Sequence, residues 1–374
     1  MKQVVELKDL FIGKLDAKNE SISNNQDKER FMRGFLLPEN IQVDRLLNGT
    51  KYFIVGLKGT GKTALLKYIK LKAEANHTSH TSFVLFKSDF SEDDKSDFSK
   101  AAESITVTNS NESIKEYTDV WLWYFHRLIV KCILDNKLED RLFKDDKNWV
   151  KYKSCVLATN IDNNESGLNR LIPKLKRGNI EVSTETNVLK GKLGLDFEWG
   201  DKEHKTVRFS SIVKQVNTLF KKLVVSDNPE RLYLFFDELE LSFNTTKQYN
   251  NDIKLIRDII LAVYKLNDSA QILKFPIFAI TSIRSEVLTA IEISGKEINK
   301  VISDFGTTLT WPQRGDDSRK HPLMNVITQK IKASYEHLEL EPISDDEVWS
   351  KYFPERIGDK SIYELILNIL KNYF

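Results

Sequence analysis

Apolar residues along the chain occur in two kinds of run, and each kind predicts a different element. Short continuous apolar runs are typical of strands that are buried on both faces of a sheet. Longer stretches, in which apolar residues stand three and four positions apart, predict helices between the strands. Strands and helices therefore alternate, which is the pattern of an α/β fold with a parallel sheet and right-handed crossovers. The predicted strands are Tyr52–Val55, Thr81–Asp89, Arg231–Asp237, Leu273–Arg284 and Thr307–Trp311.

The predicted helices differ in how apolar they are. Tyr117–Asn136 is the most apolar, and its stripe of Trp121, Tyr124, Phe125, Leu128, Ile129 and Cys132 is expected to face the core. A platform on which a nucleobase stacks is the alternative interpretation of this stripe. His126 is expected to be structural, because no second His or Cys shares its helix face. The other predicted helices are Thr63–Lys70, Ser210–Val225, Asp252–Asn267, Ser285–Asp304, His321–Leu338 and Glu347–Phe374.

Three stretches break the alternation. The polar segment Asn19–Arg30 predicts a loop, and Phe90–Asn111 predicts a linker or a weak helix. Residues 179–199 alternate apolar with polar positions, which predicts an inserted β-hairpin. Its basic flank could contact a phosphate backbone, although a solvated edge that discourages aggregation is the simpler interpretation. That flank consists of Lys174, Lys176, Arg177, Lys190 and Lys192.

A complete phosphate-binding motif follows the first predicted strand. Residues 56–63 read GLKGTGKT, which matches G-x-x-x-x-G-K-[ST] between a strand and a helix. Glycines let the backbone curl so that successive N–H groups point at phosphate oxygens, and the helix N-terminus adds its dipole. Lys62 would place its charge on the β- and γ-phosphates of ATP, and Thr63 would offer a hydroxyl to Mg²⁺. The predicted nucleotide-binding residues of this loop are Gly56, Leu57, Lys58, Gly59, Thr60, Gly61, Lys62, Thr63 and Ala64.

A second candidate motif lies at the acidic end of the third predicted strand. Asp237 and Glu238 follow a continuous apolar run, and the carboxyl ends of such strands open onto the ligand site of an α/β sheet. Asp237 would hold Mg²⁺, and Glu238 would orient and polarise the attacking water as a general base. Glu240 is the less favoured base. The alternative interpretation is that these acids have no functional role and the strand simply ends in them. The phosphate loop elsewhere in the chain makes this alternative less favoured.

The fourth predicted strand ends in polar residues. Ser282, or Thr281 beside it, stands where a side chain could sense the γ-phosphate. Arg284 could reach the nucleotide or a neighbouring subunit, and Lys300 is a second candidate for stabilising transition-state charge. A surface arginine at a strand end is an equally good interpretation. A Glu directly after the Asp, together with this polar end, favours a sheet with an extra strand between the loop strand and the acidic strand, in the order 5-1-4-3-2.

These motifs resemble those of the glutamate-bearing P-loop ATPases, which include the AAA+ and the signalling STAND/KAP-like classes. More narrowly, the chain is similar over about residues 35–335 to a family of bacterial P-loop ATPases. The shared segments are Gly56-Leu-Lys-Gly-Thr-Gly-Lys62, Asp237-Glu-Leu239, Arg284-Ser-Glu286, and Asn299-Lys300 with Trp311. The resemblance implies a cytosolic, Mg²⁺-dependent ATPase, and it adds an association with anti-phage defence or mobile elements.

The resemblance also shapes the expected domain organisation. The long interval between Lys62 and Asp237 predicts an inserted subdomain at 90–230 within an ATPase core of 36–89 and 231–315. A polar segment at 1–35 precedes the core, and a helical region at 316–374 follows it. Related ATPases carry a C-terminal lid with an arginine, for which Arg356 is the candidate here. The apolar end of the chain suggests a truncated lid or a helix that docks on a partner.

Composition narrows the function further. Lys and Arg number 56 and Asp and Glu number 54, so no strong net field points to nucleic acid or a membrane. Neither a signal peptide nor a membrane-spanning run is evident, and Cys132 and Cys155 are expected to be buried free thiols in a reducing cytosol. No guanine-reading [NT]-K-x-D motif follows a buried strand, so ATP is preferred. We therefore expect an ATPase that acts as a homo-oligomer or on an effector protein. The alternatives are a nucleotide-gated switch and a nucleic-acid-stimulated ATPase.

Overall fold

The computed structural model of the chain describes residues 5–11, 13–14, 16–20, 22, 24–106, 117–157, 179–182, 205–241, 245–293, 298–311 and 317–373. The strands are β1 Phe53–Gly56, β2 Ser79–Leu85, β3 Asn179–Val182, β4 Lys205–Arg208, β5 Arg231–Leu239, β6 Ile277–Arg284, β7 Gly306–Thr308, β8 Arg356–Ile357 and β9 Lys360–Ser361. The α-helices of the first half are α1 Asn25–Gly34, α2 Val43–Leu47, α3 Lys62–Glu74, α4 Phe86–Asp89, α5 Glu92–Thr106, α6 Thr118–Asp135 and α7 Lys147–Leu157. Those of the second half are α8 Phe209–Phe220, α9 Thr246–Leu273, α10 Ser285–Ile293, α11 Asn299–Phe305, α12 Pro322–His337, α13 Asp345–Tyr352 and α14 Ile362–Tyr373.

Five strands form one parallel sheet flanked by helices, in the order β2-β5-β6-β1-β7. The register pairs Phe53 with Gly306 in β1 and β7, and Leu85 with Asp237 in β2 and β5. Numbered as the five strands predicted from sequence, the order is 2-3-4-1-5 from one edge and 5-1-4-3-2 from the other. The five strands and the α/β class are thus confirmed. Continuous apolar runs lie in the three inner strands β1, β5 and β6, because helices cover both faces of such a sheet, whereas the edge strands β2 and β7 are more polar.

The described residues divide into two compact units. The first draws on Met1–Ala75, Ser282–Glu286 and Phe305–Phe374, and the second on Asn76–Thr281 and Val287–Asp304. In the first unit, the N-terminal segment packs on the C-terminal helices. Its Val5 and Leu10 share a buried cluster with Ile331, Tyr335, Ile343 and Val348. The Nζ of Lys67 on α3 donates hydrogen bonds to the carbonyls of Lys18 and Glu20, both at 3.1 Å, which ties this segment to the helix that follows the phosphate loop.

Helix α6 forms the centre of the second unit. The predicted core stripe is confirmed, since Trp121, Tyr124, Phe125, Leu128, Ile129 and Cys132 are all buried. The ring of Trp121 lies 4.4 Å from that of Phe98, and its Nε1 donates to the carbonyl of Leu255 at 3.0 Å. Cys132 and Cys155 are buried and free, as expected. This packing favours the core interpretation of the stripe over the nucleobase platform, because the ring faces are already occupied by other rings.

Several predicted boundaries are wrong. The second strand ends at Leu85, because the chain turns there into the short helix α4 that contains Ser88 and Asp89. The predicted N-terminal loop at Asn19–Arg30 overlaps the first part of α1, whose first turn is capped by Asn24 accepting from the Asp27 N–H at 2.7 Å. Of the two alternatives for Phe90–Asn111, the helix is the one observed, since Glu92–Thr106 forms α5.

The C-terminal region is also more broken than predicted. A capping box of Ser344 and Glu347 starts α13, which stops at Tyr352. Phe353 is extended at φ −129° because the following Pro354 disfavours helical geometry in the residue before it. The two-residue strands β8 and β9 then form a hairpin before α14 begins. A helix over Glu347–Phe374 is therefore interrupted in the middle.

Some predictions fall partly outside the described residues. Of the β-hairpin predicted at 179–199, the structure describes only the first strand, β3, which pairs antiparallel with β4. The basic flank of Lys174, Lys176, Arg177, Lys190 and Lys192 lies outside the described residues, as do residues 294–297 between α10 and α11. Within the part of the chain that the structure describes, no helix is both long and apolar enough to cross a membrane.

Candidate functional site

The predicted phosphate loop connects β1 to α3 in the first unit. Gly56 closes the strand, and a side chain there would meet Thr60 Oγ1 at 2.8 Å and the Leu309 carbonyl at 3.0 Å. Gly61 has φ +94° and stands at the N-cap of α3, a left-handed conformation that glycine adopts without strain. Gly59 is likewise left-handed at φ +83°, so all three glycines of the motif are required by the local backbone. The loop therefore leads directly into a helix start whose first N–H groups have no acceptor within the helix.

Lys62 is the most enclosed charged side chain of the loop, with 8% of its surface exposed. Its Nζ donates hydrogen bonds to the carbonyls of Gly56 at 3.0 Å and Leu57 at 2.6 Å. The ammonium group is thus folded back over the loop, held between the strand end and the helix start. A compact positive charge in this position is suited to the oxygens of a polyphosphate.

The other predicted loop residues are more open. Leu57, Lys58, Gly59 and Gly61 are exposed, whereas Thr60, Thr63 and Ala64 are half-buried. Leu57 is 57% exposed, so its side chain is not held in the core. Contacts from Leu57 and Lys58 to a nucleotide would therefore come from their backbone N–H groups, as the motif requires.

Trp311 contacts the loop although sequence reasoning assigned it no role there. Its Nε1 donates to the carbonyl of Thr60 at 3.0 Å, from the segment that follows β7. The segment is held beside the loop because Leu309 N donates to the Val55 carbonyl at 2.7 Å. Nothing local in the sequence indicates this contact, because it joins positions 251 residues apart. This hydrogen bond stabilises the loop at Thr60, the residue before Gly61.

Two further predicted residues, Ser282 and Arg284, lie at the end of β6 within the first unit. Ser282 is buried, with 2% of its surface exposed. Arg284 is partly buried, and its Nη1 lies 4.0 Å from the carboxylate of Glu286. A nucleotide contact by either residue stays a prediction. Lys300 is exposed on α11, and Arg356 is exposed in the β8–β9 hairpin, where its Nη2 donates to the Asp359 carbonyl at 2.5 Å.

The acidic end of β5 belongs to the second unit. Asp237 is buried, and the preceding carbonyl of Phe236 accepts a hydrogen bond from Thr281 Oγ1 at 3.0 Å. Glu238 has φ +57°, a left-handed conformation that costs a non-glycine residue about 1–3 kcal/mol. Such strain persists only where the surroundings hold it, and it often marks a residue used in function. The backbone therefore sets Glu238 apart from its neighbours on the strand.

Residues just after β2 hold the acids in place. Ser88 Oγ donates to Glu238 Oε2 at 2.5 Å, and Lys87 forms an ion pair with Glu240 at 2.8 Å. Burial raises the pKa of the Asp89 carboxyl above its ordinary value, and the negative charge of Glu238 adds to this rise. A hydrogen bond from the Leu85 N–H opposes it. Sequence reasoning missed this cluster because it assigned Ser88 and Asp89 to a strand.

The donor groups for a metal ion are few. Among the described residues, no three His, Cys, Asp or Glu side chains come together as a candidate metal site. Mg²⁺ is commonly held by one or two carboxylates together with substrate phosphates, so a protein-only cluster is not needed. The assignment of Mg²⁺ to Thr63 and Asp237 stays a prediction from the sequence.

Comparison of the chain with protein-family models, with curated proteins and with solved structures gives no match. The resemblance to glutamate-bearing P-loop ATPases thus rests on the motifs quoted above.

Proposed function

We propose that this chain binds Mg²⁺-ATP at the 56–63 loop and hydrolyses it. The observation that carries the proposal is the geometry of that loop. A buried strand leads into a glycine-bearing turn, a lysine ammonium is enclosed over it, and a 13-residue helix starts directly behind it. Backbone N–H groups, a helix N-terminus and a compact cation in one short segment form a site for a polyphosphate anion.

The proposed mechanism assigns each residue one task. Lys62 binds the β- and γ-phosphates, and Thr63 and Asp237 hold Mg²⁺. Glu238, whose left-handed backbone sets it apart on β5, accepts a proton from the attacking water. Ser282 senses the γ-phosphate, and Arg284 or Lys300 stabilises transition-state charge, within the chain or from a neighbouring copy. ATP hydrolysis would drive or gate a homo-oligomer or an effector protein. The motif resemblance suggests anti-phage defence as the setting.

One observation favours a second function, a nucleotide-gated switch with little hydrolysis of its own. The 2.5 Å hydrogen bond from Ser88 occupies the carboxylate that the first proposal needs as a base. The bond holds Glu238 Oε2 against Ser88 and away from an attacking water, so turnover would be slow until a partner or the nucleotide releases it.

The decisive experiment measures Mg²⁺-ATP binding and phosphate release by the purified chain, with and without duplex DNA. Binding with turnover supports the ATPase, and binding without turnover supports the switch. Stimulation by DNA would favour the nucleic-acid-stimulated alternative. Absence of Mg²⁺-ATP binding would overturn both proposals.

Trp311→Phe is expected to weaken Mg²⁺-ATP binding by about three- to tenfold. Phenylalanine keeps an aromatic ring but cannot donate to the Thr60 carbonyl, and one such hydrogen bond contributes about 0.5–1.5 kcal/mol. Equilibrium titration measures the change. Trp349→Phe is the matched control, because it removes an indole hydrogen bond to Thr328 Oγ1 among the C-terminal helices. Equal losses in both variants would contradict a specific role for Trp311.

Ser88→Ala is expected to raise ATP turnover several-fold, since it frees the Glu238 carboxylate to act as a base. Steady-state phosphate release measures this effect. Ser96→Ala, at an exposed position on the neighbouring helix α5, should leave the rate unchanged. A fall in turnover would show that Ser88 positions Glu238 for catalysis rather than restraining it.

A further inference from the structure

Helices α6, α8 and α9 of the second unit enclose a cleft that the proposed nucleotide site does not use. Its volume is about 270 Å³. Pockets for drug-sized ligands begin at roughly 300 Å³, so this cleft suits a smaller molecule. Its apolar lining residues are Leu122, Phe220 and Leu266, of which Phe220 and Leu266 are buried apart from a small exposed area. The interior of the cleft is therefore small and more apolar than polar.

A buried histidine also reaches the floor of the cleft. His126 Nε2 donates to Asn217 Oδ1 at 2.8 Å, and Nδ1 accepts from the Tyr152 hydroxyl at 2.9 Å. Burial lowers the pKa of His126 to about 4, although the bond to Asn217 opposes the shift. The ring is therefore neutral near pH 7, and both of its nitrogens are used. Because its Oδ1 is engaged, Asn217 presents its amide NH₂ group beside the cleft, and no described residue accepts a hydrogen bond from it.

The rim of the cleft carries both signs of charge. Lys221, Lys265 and Asp268 are exposed, whereas Asp119 is half-buried. Two lysines and two aspartates leave the lining without net charge. Within the described part of the chain, Lys221, Lys265 and Asp268 have no oppositely charged partner within 4.0 Å. Their charges are thus available to a ligand.

The spacing of two charged residues on the rim narrows the chemical class of the ligand further. Lys265 and Asp268 are three residues apart on α9, so they are neighbours on the helix surface, at about 5–6 Å between Cβ atoms. They do not pair with each other, although that spacing permits it. A molecule with a carboxylate and an ammonium group on adjacent atoms could meet both at once, while its side chain lies on the apolar floor.

We infer that this cleft binds a free α-amino acid with an apolar side chain. The carboxylate would accept from Lys265 and the Asn217 amide, and the ammonium would donate to Asp268. A ligand that carries one charge of each sign matches this rim better than a dianion does, because the lining holds as many carboxylates as ammonium groups. A wholly apolar ligand would contact only the apolar lining and would leave the exposed rim charges in water. The inference does not depend on the proposed ATPase activity, since every residue it uses lies outside the phosphate loop and the acidic strand end.

Isothermal titration of the whole chain with L-phenylalanine tests the inference. Two matched probes each lack one charge: 3-phenylpropionate has no ammonium group, and phenethylamine has no carboxylate. We expect L-phenylalanine to bind and each half-probe to bind at least about tenfold more weakly. Absence of L-phenylalanine binding at millimolar concentration, or equal binding of a half-probe, would overturn the inference.

Two variants locate the binding. Lys265→Met should weaken L-phenylalanine binding about tenfold without affecting phenethylamine, and Asp268→Asn should weaken it similarly without affecting 3-phenylpropionate. Lys254→Met is the matched control, because Lys254 is exposed on the same helix and does not line the cleft. Unchanged affinity in both Lys265→Met and Asp268→Asn would place the binding elsewhere and overturn the assignment.

Discussion

Replacing Lys62 by alanine is expected to weaken Mg²⁺-ATP binding by about a hundredfold, close to 2.7 kcal/mol. The Lys62 ammonium is almost fully enclosed, and it already donates to two carbonyls of the loop. Removing it takes away the positive charge that would meet the β- and γ-phosphates, and charge-assisted hydrogen bonds each contribute about 1.5–3 kcal/mol. Isothermal titration with Mg²⁺-ATP measures the loss.

Two comparisons separate this effect from a general loss of structure. Lys72→Ala removes an exposed lysine from the same helix, α3, and should leave ATP affinity unchanged. Lys62→Arg keeps the charge but replaces a compact ammonium with a planar fork, so its affinity should lie between those of the wild type and the alanine variant. Wild-type affinity in Lys62→Ala, with an unchanged melting temperature, would show that the 56–63 loop is not the nucleotide site.

Glu238→Gln is expected to lower ATP turnover by at least about a hundredfold while leaving Mg²⁺-ATP affinity within about threefold. General base catalysis typically contributes about 10²–10⁴-fold, and glutamine cannot accept a proton from water near neutral pH. Glutamine has nearly the same shape, and its carbonyl can still accept from Ser88 Oγ. The fold at the end of β5 should therefore be retained. Phosphate release under saturating Mg²⁺-ATP measures the rate.

Glu240→Gln is the matched control for this prediction. Glu240 lies two residues further along the same segment, where it forms an ion pair with Lys87. Because Lys87 is exposed, losing this ion pair costs little, so the turnover of Glu240→Gln should stay near the wild-type value. A similar loss in both variants would point to a disturbed strand end. Full turnover in Glu238→Gln would remove Glu238 from the mechanism.

The strands that could be predicted from sequence are those whose pattern reflects a local cause. Val55 and Phe235 belong to continuous apolar runs, because a strand that helices cover on both faces has no solvent-exposed face that would carry polar residues. The loop from Gly56 to Thr63 was equally recognisable, since its backbone geometry requires glycine at defined positions. The stripe of α6 was visible through its helical spacing. In each case the decisive interactions lie within one element or between an element and a generic apolar core.

Contacts between distant segments were not predictable in this way. Ser88 and Glu238 are 150 residues apart, and Thr60 and Trp311 are 251 residues apart. A single hydroxyl or indole side chain produces no periodic sequence pattern that would identify its hydrogen-bond partner. The short helix α4 was mistaken for the end of a strand, because Phe86 continues the apolar run although the backbone has already turned.

The sequence by itself determined the class of the fold, the five strands of the sheet and the candidate phosphate loop. These follow from burial patterns and from glycine geometry, which act over a few residues. Only the tertiary structure decided which side chains surround the predicted site residues: Trp311 against Thr60, and Ser88 against Glu238. It also decided that three helices would enclose a cleft with a charged rim. These arrangements depend on how whole elements pack, and many different sequences can satisfy that packing, so no local pattern encodes it.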